Sequence, residues 1–134
     1  MNPILIVAAI AAAGGLSAPA VTANPGAIGL SLQANVETFC RLSLGDAIVA
    51  DDGSVGAVRE TCNTPGGYMV QAAFANLASG IVRADSDTSE LDRDGNAIFT
   101  SNQARRRTRF WSVVDGVRTD AAQPVIVRFS ITPL

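Results

Sequence analysis

Ile28-Gly29-Leu30-Ser31-Leu32-Gln33-Ala34-Asn35-Val36-Glu37-Thr38-Phe39-Cys40 puts an apolar side chain on every second position as far as Val36. Ile28, Leu30, Leu32, Ala34 and Val36 alternate with Gly29, Ser31, Gln33 and Asn35. Successive side chains of a strand point to opposite sides, so period two marks a strand with one buried face. The spacing predicts a strand from Ile28 to about Arg41. Cys40 closes the stretch, and Cys62 is the other cysteine of the chain. A bridge between them pins this strand to the segment Arg59-Glu60-Thr61-Cys62.

Upstream, Met1 to Ala23 carries no charged side chain, and Ile4 to Ala13 is an unbroken apolar run followed by Gly14-Gly15 and Pro19. An apolar core before a small-residue cleavage site reads as a secretory signal peptide over residues 1–23, with cleavage after Ala23 or, as a competing site, Ala20. The alternative is an uncleaved anchor, since Pro3 to Ala23 is about long enough to span a bilayer. Gly14, Gly15 and Pro19 argue against it. The expected mature chain, residues 24–134, then has no membrane span and travels through the periplasm to the cell surface or beyond. It is long enough for one domain with one modest core. The net charge of -2 is too small to dictate a partner. Every one of the 10 cations is arginine, and there is no histidine, which removes the commonest general base and metal ligand. Two cysteines in an exported chain point to a Cys40–Cys62 disulfide. Closing a loop of this length contributes roughly 3 kcal/mol in the chain-entropy model.

Turn signals divide the remainder. Asp51-Asp52-Gly53 separates Ala47–Ala50 from Val55–Val58, which read as short strands about a hairpin-like turn. Asn63-Thr64-Pro65-Gly66-Gly67 is a second turn. Tyr68 to Ala78 is ambiguous: Tyr68, Val70, Ala72 and Phe74 alternate, whereas Met69, Ala73 and Leu77 lie at helical spacing. The turn-rich flanks favour a strand. Asp85 to Asn96 reads as a loop or hairpin tip, Ala97–Thr100 as a short strand, and Asp115-Gly116 as a further hairpin turn. Val125, Val127, Phe129 and Ile131 alternate again and predict a terminal strand with those four side chains inward. Short strands every ten or so residues mean an all-β sandwich or barrel.

Candidate chemistry is sparse. Without histidine, and with both cysteines bridged, the familiar nucleophile–base arrangements are missing. Asp51 with Asp52, or the acids between Asp85 and Asp94, leave a carboxylate hydrolase as a minor alternative. Glu90-Leu91-Asp92-Arg93-Asp94-Gly95 resembles the start of a calcium loop, but it begins with Glu and has Ser101 at position twelve. A surface loop is the preferred reading, so no metal or cofactor is expected. Arg105-Arg106-Arg107-Thr108-Arg109 beside Phe110 and Trp111 invites a nucleic-acid reading. The acidic balance and the export route oppose it, and cations lining a sheet edge to discourage unwanted pairing is the preferred role.

The order of these features is distinctive: a leader, an alternating strand ending in cysteine (Leu30 to Cys40), Leu42-Ser43, a glycine-containing turn, a second cysteine, Asn63, a Pro-Gly turn and Tyr68-Met69-Val70. It resembles the spore coat protein U-like family, pilin subunits of the archaic chaperone–usher pathway. The likeness is clearest from Leu30 to Phe74 and in Val125 to Thr132. Two features depart from the family: Val117 to Gln123 is short and lacks tyrosine, and the chain finishes Thr132-Pro133-Leu134. The resemblance implies an incomplete immunoglobulin-like sandwich whose missing strand is donated by a neighbour. Residues 27–36 would then be the donor-like segment, with Ile28, Leu30, Leu32, Ala34 and Val36 filling pockets in another subunit. Val125, Val127, Phe129 and Ile131 would line the acceptor groove. The implied partners are further copies or related pilin subunits, a periplasmic chaperone and an outer-membrane usher. The competing reading is a self-contained secreted sandwich that binds a ligand or partner protein, with Ile28 to Val36 kept in its own domain.

Overall fold

Chain reversals at residues with left-handed backbone set the strand limits: Gly53, Gly67, Asn76, Asp85 and Gly95 all have positive φ at or beside a turn. The computed structural model describes residues 31–134, and within them the chain is all-β, without helix. The strands are β1 (Cys40–Leu42), β2 (Asp46–Ile48), β3 (Ser54–Cys62), β4 (Tyr68–Ala75), β5 (Leu77–Ala84), β6 (Asp87–Glu90), β7 (Asn96–Ser101), β8 (Arg105–Arg118) and β9 (Ile126–Pro133). They form two antiparallel sheets, one ordered β1-β3-β8-β5-β6 and the other β2-β9-β4-β7. Every connection except β5–β6 crosses from one sheet to the other. The chain therefore stitches the layers together at each turn, and both sheets bury one face against a shared core.

The core follows the period-two pattern. Val58, Glu60 and Cys62 of β3, Tyr68, Val70, Ala72 and Phe74 of β4, and Arg109, Trp111 and Val113 of β8 are buried, with more exposed residues between them. Trp111 sits between the layers. Its ring meets Phe99 at 4.8 Å and Phe129 at 5.0 Å between centroids, both edge-on. Such pairs add about 0.5–1.5 kcal/mol beyond burial.

Tyr68 to Ala75 is a strand, and Asn76 then turns the chain back into β5. Cys40 and Cys62 are bridged, and they stand directly opposite each other on β1 and β3. Several expectations need correction. Ser31 to Phe39 carries no strand, and the first strand begins at Cys40. Phe39 and Glu37 are instead held by the Asn63 side chain, which accepts from the Phe39 amide at 2.7 Å and donates to the Glu37 carbonyl at 2.8 Å. Asp51-Asp52-Gly53 is a turn, but β2 and β3 lie in different sheets, so it makes no hairpin. Asp115, with φ of 53°, is an irregularity inside β8 rather than the end of a strand. The polar stretch after Asp85 contains β6, paired to β5 across the two-residue turn Asp85-Ser86. The expected leader over residues 1–23, with Ile28 and Leu30, lies outside the described residues.

Candidate functional site

β9 is paired unequally on its two sides. On one side it pairs with β4 along its whole length, from Tyr68 opposite Pro133 to Ala75 opposite Ile126. On its other side β2 reaches only Ile126, Val127 and Arg128. The Phe129 amide donates to the Gly45 carbonyl, and beyond that no described strand pairs with β9 on this side, although β1 of the facing sheet packs against it. Backbone groups alternate sides along a strand, so the Ile131 N–H and C=O point the same way as the Phe129 N–H, toward this uncovered edge. An unpaired strand edge is a template for another strand.

The side chains along β9 match that geometry. Val125, Val127 and Phe129 are buried, whereas Ile131 is only partly so. Arg128 on the opposite face is exposed and pairs with Asp46 at 3.0 Å. Across the seam stands β1, the edge strand of the facing sheet, whose Leu42 is also partly buried, as are Leu44 and the bridged Cys40. A strip of half-covered apolar side chains therefore borders the uncovered part of β9. At the far edge of this sheet Ala97, Phe99 and Ser101 of β7 are all buried, and β6 of the facing sheet lies against it.

Beneath the seam lies an ion cluster that sequence reasoning missed. Glu60 stands opposite Leu42, and Tyr68 opposite Pro133. The Glu60 carboxylate has no exposed surface and takes three donors: Arg109 Nε at 2.6 Å, Arg107 Nε at 3.0 Å and the Tyr68 hydroxyl at 2.7 Å. Arg109 Nη1 continues to Asp87 at 3.2 Å. Its guanidinium lies 5.3 Å from the Phe99 ring centre and 5.1 Å from that of Trp111, within cation–π range. Arg109 Nη2 and Trp111 Nε1 are buried without a partner among the described residues. Burial and then the bond to Glu60 push the Tyr68 phenol above its ordinary pKa. Tyr68 comes from one sheet, Glu60 and both arginines from the other, so the cluster ties the layers together.

The arginine run therefore does not line an edge. β8 is central in its sheet, flanked by β3 and β5, and the run splits by face. Arg107 and Arg109 share the inward side with Trp111 and Val113, while Arg106 and Thr108 face out. That alternation, Arg107, Arg109, Trp111, Val113, was the available signal; the cationic composition hid it. The acidic loop is likewise occupied by its own backbone. Asp92 Oδ1 accepts from the amides of Asp94 at 2.9 Å and Asn96 at 2.8 Å, which lowers its pKa. Among the described residues, no three acidic, cysteine or histidine side chains gather as a metal site.

Comparison with known proteins finds no matching family model, no matching curated protein and no matching solved structure.

Proposed function

We propose that this chain is a non-enzymatic subunit of a surface pilus or fibre, with an immunoglobulin-like sandwich completed by a strand from a neighbouring subunit. The observation that carries this reading is the edge of β9, which β2 pairs at three residues and leaves without a described strand partner at Ile131, on the side where β1 with its half-buried Leu42 packs across the seam. The donated strand is Ile28 to Val36. Its alternating Ile28, Leu30, Leu32, Ala34 and Val36 supply one apolar face, and Leu32 and Val36 are exposed in the isolated chain. Addition of a strand to an open edge couples main-chain pairing to pockets for alternate side chains. The resemblance to spore coat protein U-like pilins supports the same assembly, with export to the periplasm and passage through a chaperone and usher.

One observation favours a second reading. β2 already pairs with part of β9 and the inner faces of both sheets are largely buried, as in a self-contained secreted module. Deleting Asn24 to Leu32 separates the two. A fibre subunit so truncated stays folded when its chaperone or a peptide of residues 24–36 is supplied, but forms no ladder of oligomers. Leu30→Asp or Leu32→Asp has nearly the same effect, because an unpaired carboxylate in an apolar pocket is strongly disfavoured. Unchanged assembly after the deletion would sink the fibre reading.

A further inference from the structure

The outward face of the β1-β3-β8 sheet concentrates positive charge on a chain that is acidic overall. Arg41 stands opposite Thr61, and Thr61 opposite Arg106, so three adjacent strands form one row on a single face. Thr61 lies between buried Glu60 and Cys62, which fixes that face as the outer one. Arg59 projects from the same face two residues along β3, where the Ser43 hydroxyl accepts from its amide at 2.8 Å. Arg41, Arg59 and Arg106 are exposed, and none is paired with a carboxylate among the described residues. Together with Phe39, Ser43 and Thr61 they border a shallow depression of about 280 Å³, and no acid lines it.

Three unpaired guanidiniums in one place repel each other and are retained at a cost unless an anion meets them. Strands lie about 4.8 Å apart, so the Arg41 and Arg106 backbones are separated by roughly 10 Å. That width matches one or two anionic groups, not a continuous phosphate backbone. A nucleic-acid strand carries a charge about every 3.4 Å, and a long run of it would lie against the acidic remainder of the chain. The depression also offers a single aromatic, Phe39, rather than the succession of rings on which bases stack. A planar guanidinium forks onto carboxylate or sulfate oxygens in pairs, the two hydroxyls suit sugar hydroxyls, and a half-exposed ring suits the apolar face of a pyranose.

We propose that this depression binds an acidic polysaccharide, one whose sugars carry carboxylate or sulfate groups. It lies on the outward face of the sheet, and it shares Leu42 of β1 with the seam along which the uncovered edge of β9 runs.

The test is binding of the full chain to immobilised heparin, a sulfated glycan, at low and physiological salt. Arg41→Gln/Arg59→Gln/Arg106→Gln should lose roughly tenfold or more in affinity, since each charge-assisted hydrogen bond carries about that factor. Arg83→Gln/Arg118→Gln/Arg128→Gln removes the same charge elsewhere and should stay within about twofold, and the wild-type affinity should fall with salt. Circular dichroism checks that both variants remain folded. No binding of the wild type to heparin, equal loss in both variants, or tighter binding of oligothymidylate than of heparin would each overturn the proposal.

Discussion

Glu60→Gln removes one charge and leaves the shape of the side chain, so it isolates the worth of the buried ion cluster. In the folded chain the carboxylate is fully enclosed and is the short-range counter-ion of Arg109, itself 2 % exposed. After the substitution Arg109 keeps only Asp87, whose side chain is 57 % exposed and hence well solvated. Arg107, less deeply buried, can turn toward water. Removing one partner of a buried pair costs about 3–5 kcal/mol, because the remaining charge stays desolvated. Against a net stability of about 5–15 kcal/mol this is a large fraction. For a domain of this size it lowers the melting temperature by roughly 12 °C or more. Urea unfolding followed by the fluorescence of Trp111, the sole tryptophan and a neighbour of Arg109, measures it directly. Glu60→Leu/Arg109→Leu, which replaces the pair by apolar groups, should lie closer to wild type than Glu60→Gln does. A Glu60→Gln cost below about 1 kcal/mol, or a double variant equal to the sum of its single changes, would refute the reasoning.

Phe129→Ala should cost roughly 3–5 kcal/mol in the same assay, as the ring packs on Trp111, while Arg128→Ala should cost less than about 1 kcal/mol because its ion pair is exposed. Similar values for the two would mean that β9 buries the other face. Tyr68 has a raised pKa in the folded state, so its contribution is intact below the ordinary phenol value of about 10 and is lost as pH rises through the folded-state value. Stability profiles should therefore drop more steeply at alkaline pH for wild type than for Tyr68→Phe, and parallel profiles would count against the shift. Gly67→Ala should lose about 1–3 kcal/mol from backbone strain, since Gly67 has φ of 91° and an added Cβ would strike the Ser101 carbonyl. A melting temperature equal to wild type would show that the turn rearranges freely.

Much of the fold was legible because alternation and turn chemistry agree. Val125, Val127, Phe129 and Ile131 read as an inward row, and three of them are buried with Ile131 partly so. Asn63 to Gly67 read as a turn and is one. Failures came where local pattern had to stand for tertiary context. Alternation from Ile28 predicted a strand through Arg41, but a lone amphipathic segment forms a strand only where an edge receives it, and Ser31 to Phe39 pairs with none described. Asp115-Gly116 has hairpin chemistry, yet β8 runs on because β5 continues to pair with it as far as Arg118. Arg105 to Arg109 reads as a cationic sheet edge, whereas β8 is central and Arg109 is buried. Its counter-ion lies 49 residues away in sequence, where no local signal could join the two. The resemblance implies a groove along Val125 to Ile131, but where the edge of β9 loses its partner depends on how far β2 extends, which nothing in β9 encodes.

Amide hydrogen exchange at Ile131 puts strand donation to its most direct test. This N–H faces the uncovered edge, and a donated strand would take it as a hydrogen-bond donor. In the assembled full-length chain the Ile131 amide should be strongly protected, and in Leu32→Asp, held unassembled, it should exchange rapidly while the Trp111 and Val70 amides stay protected. Equal protection of Ile131 in the two, with the core equally intact, would contradict strand donation and leave a self-contained domain.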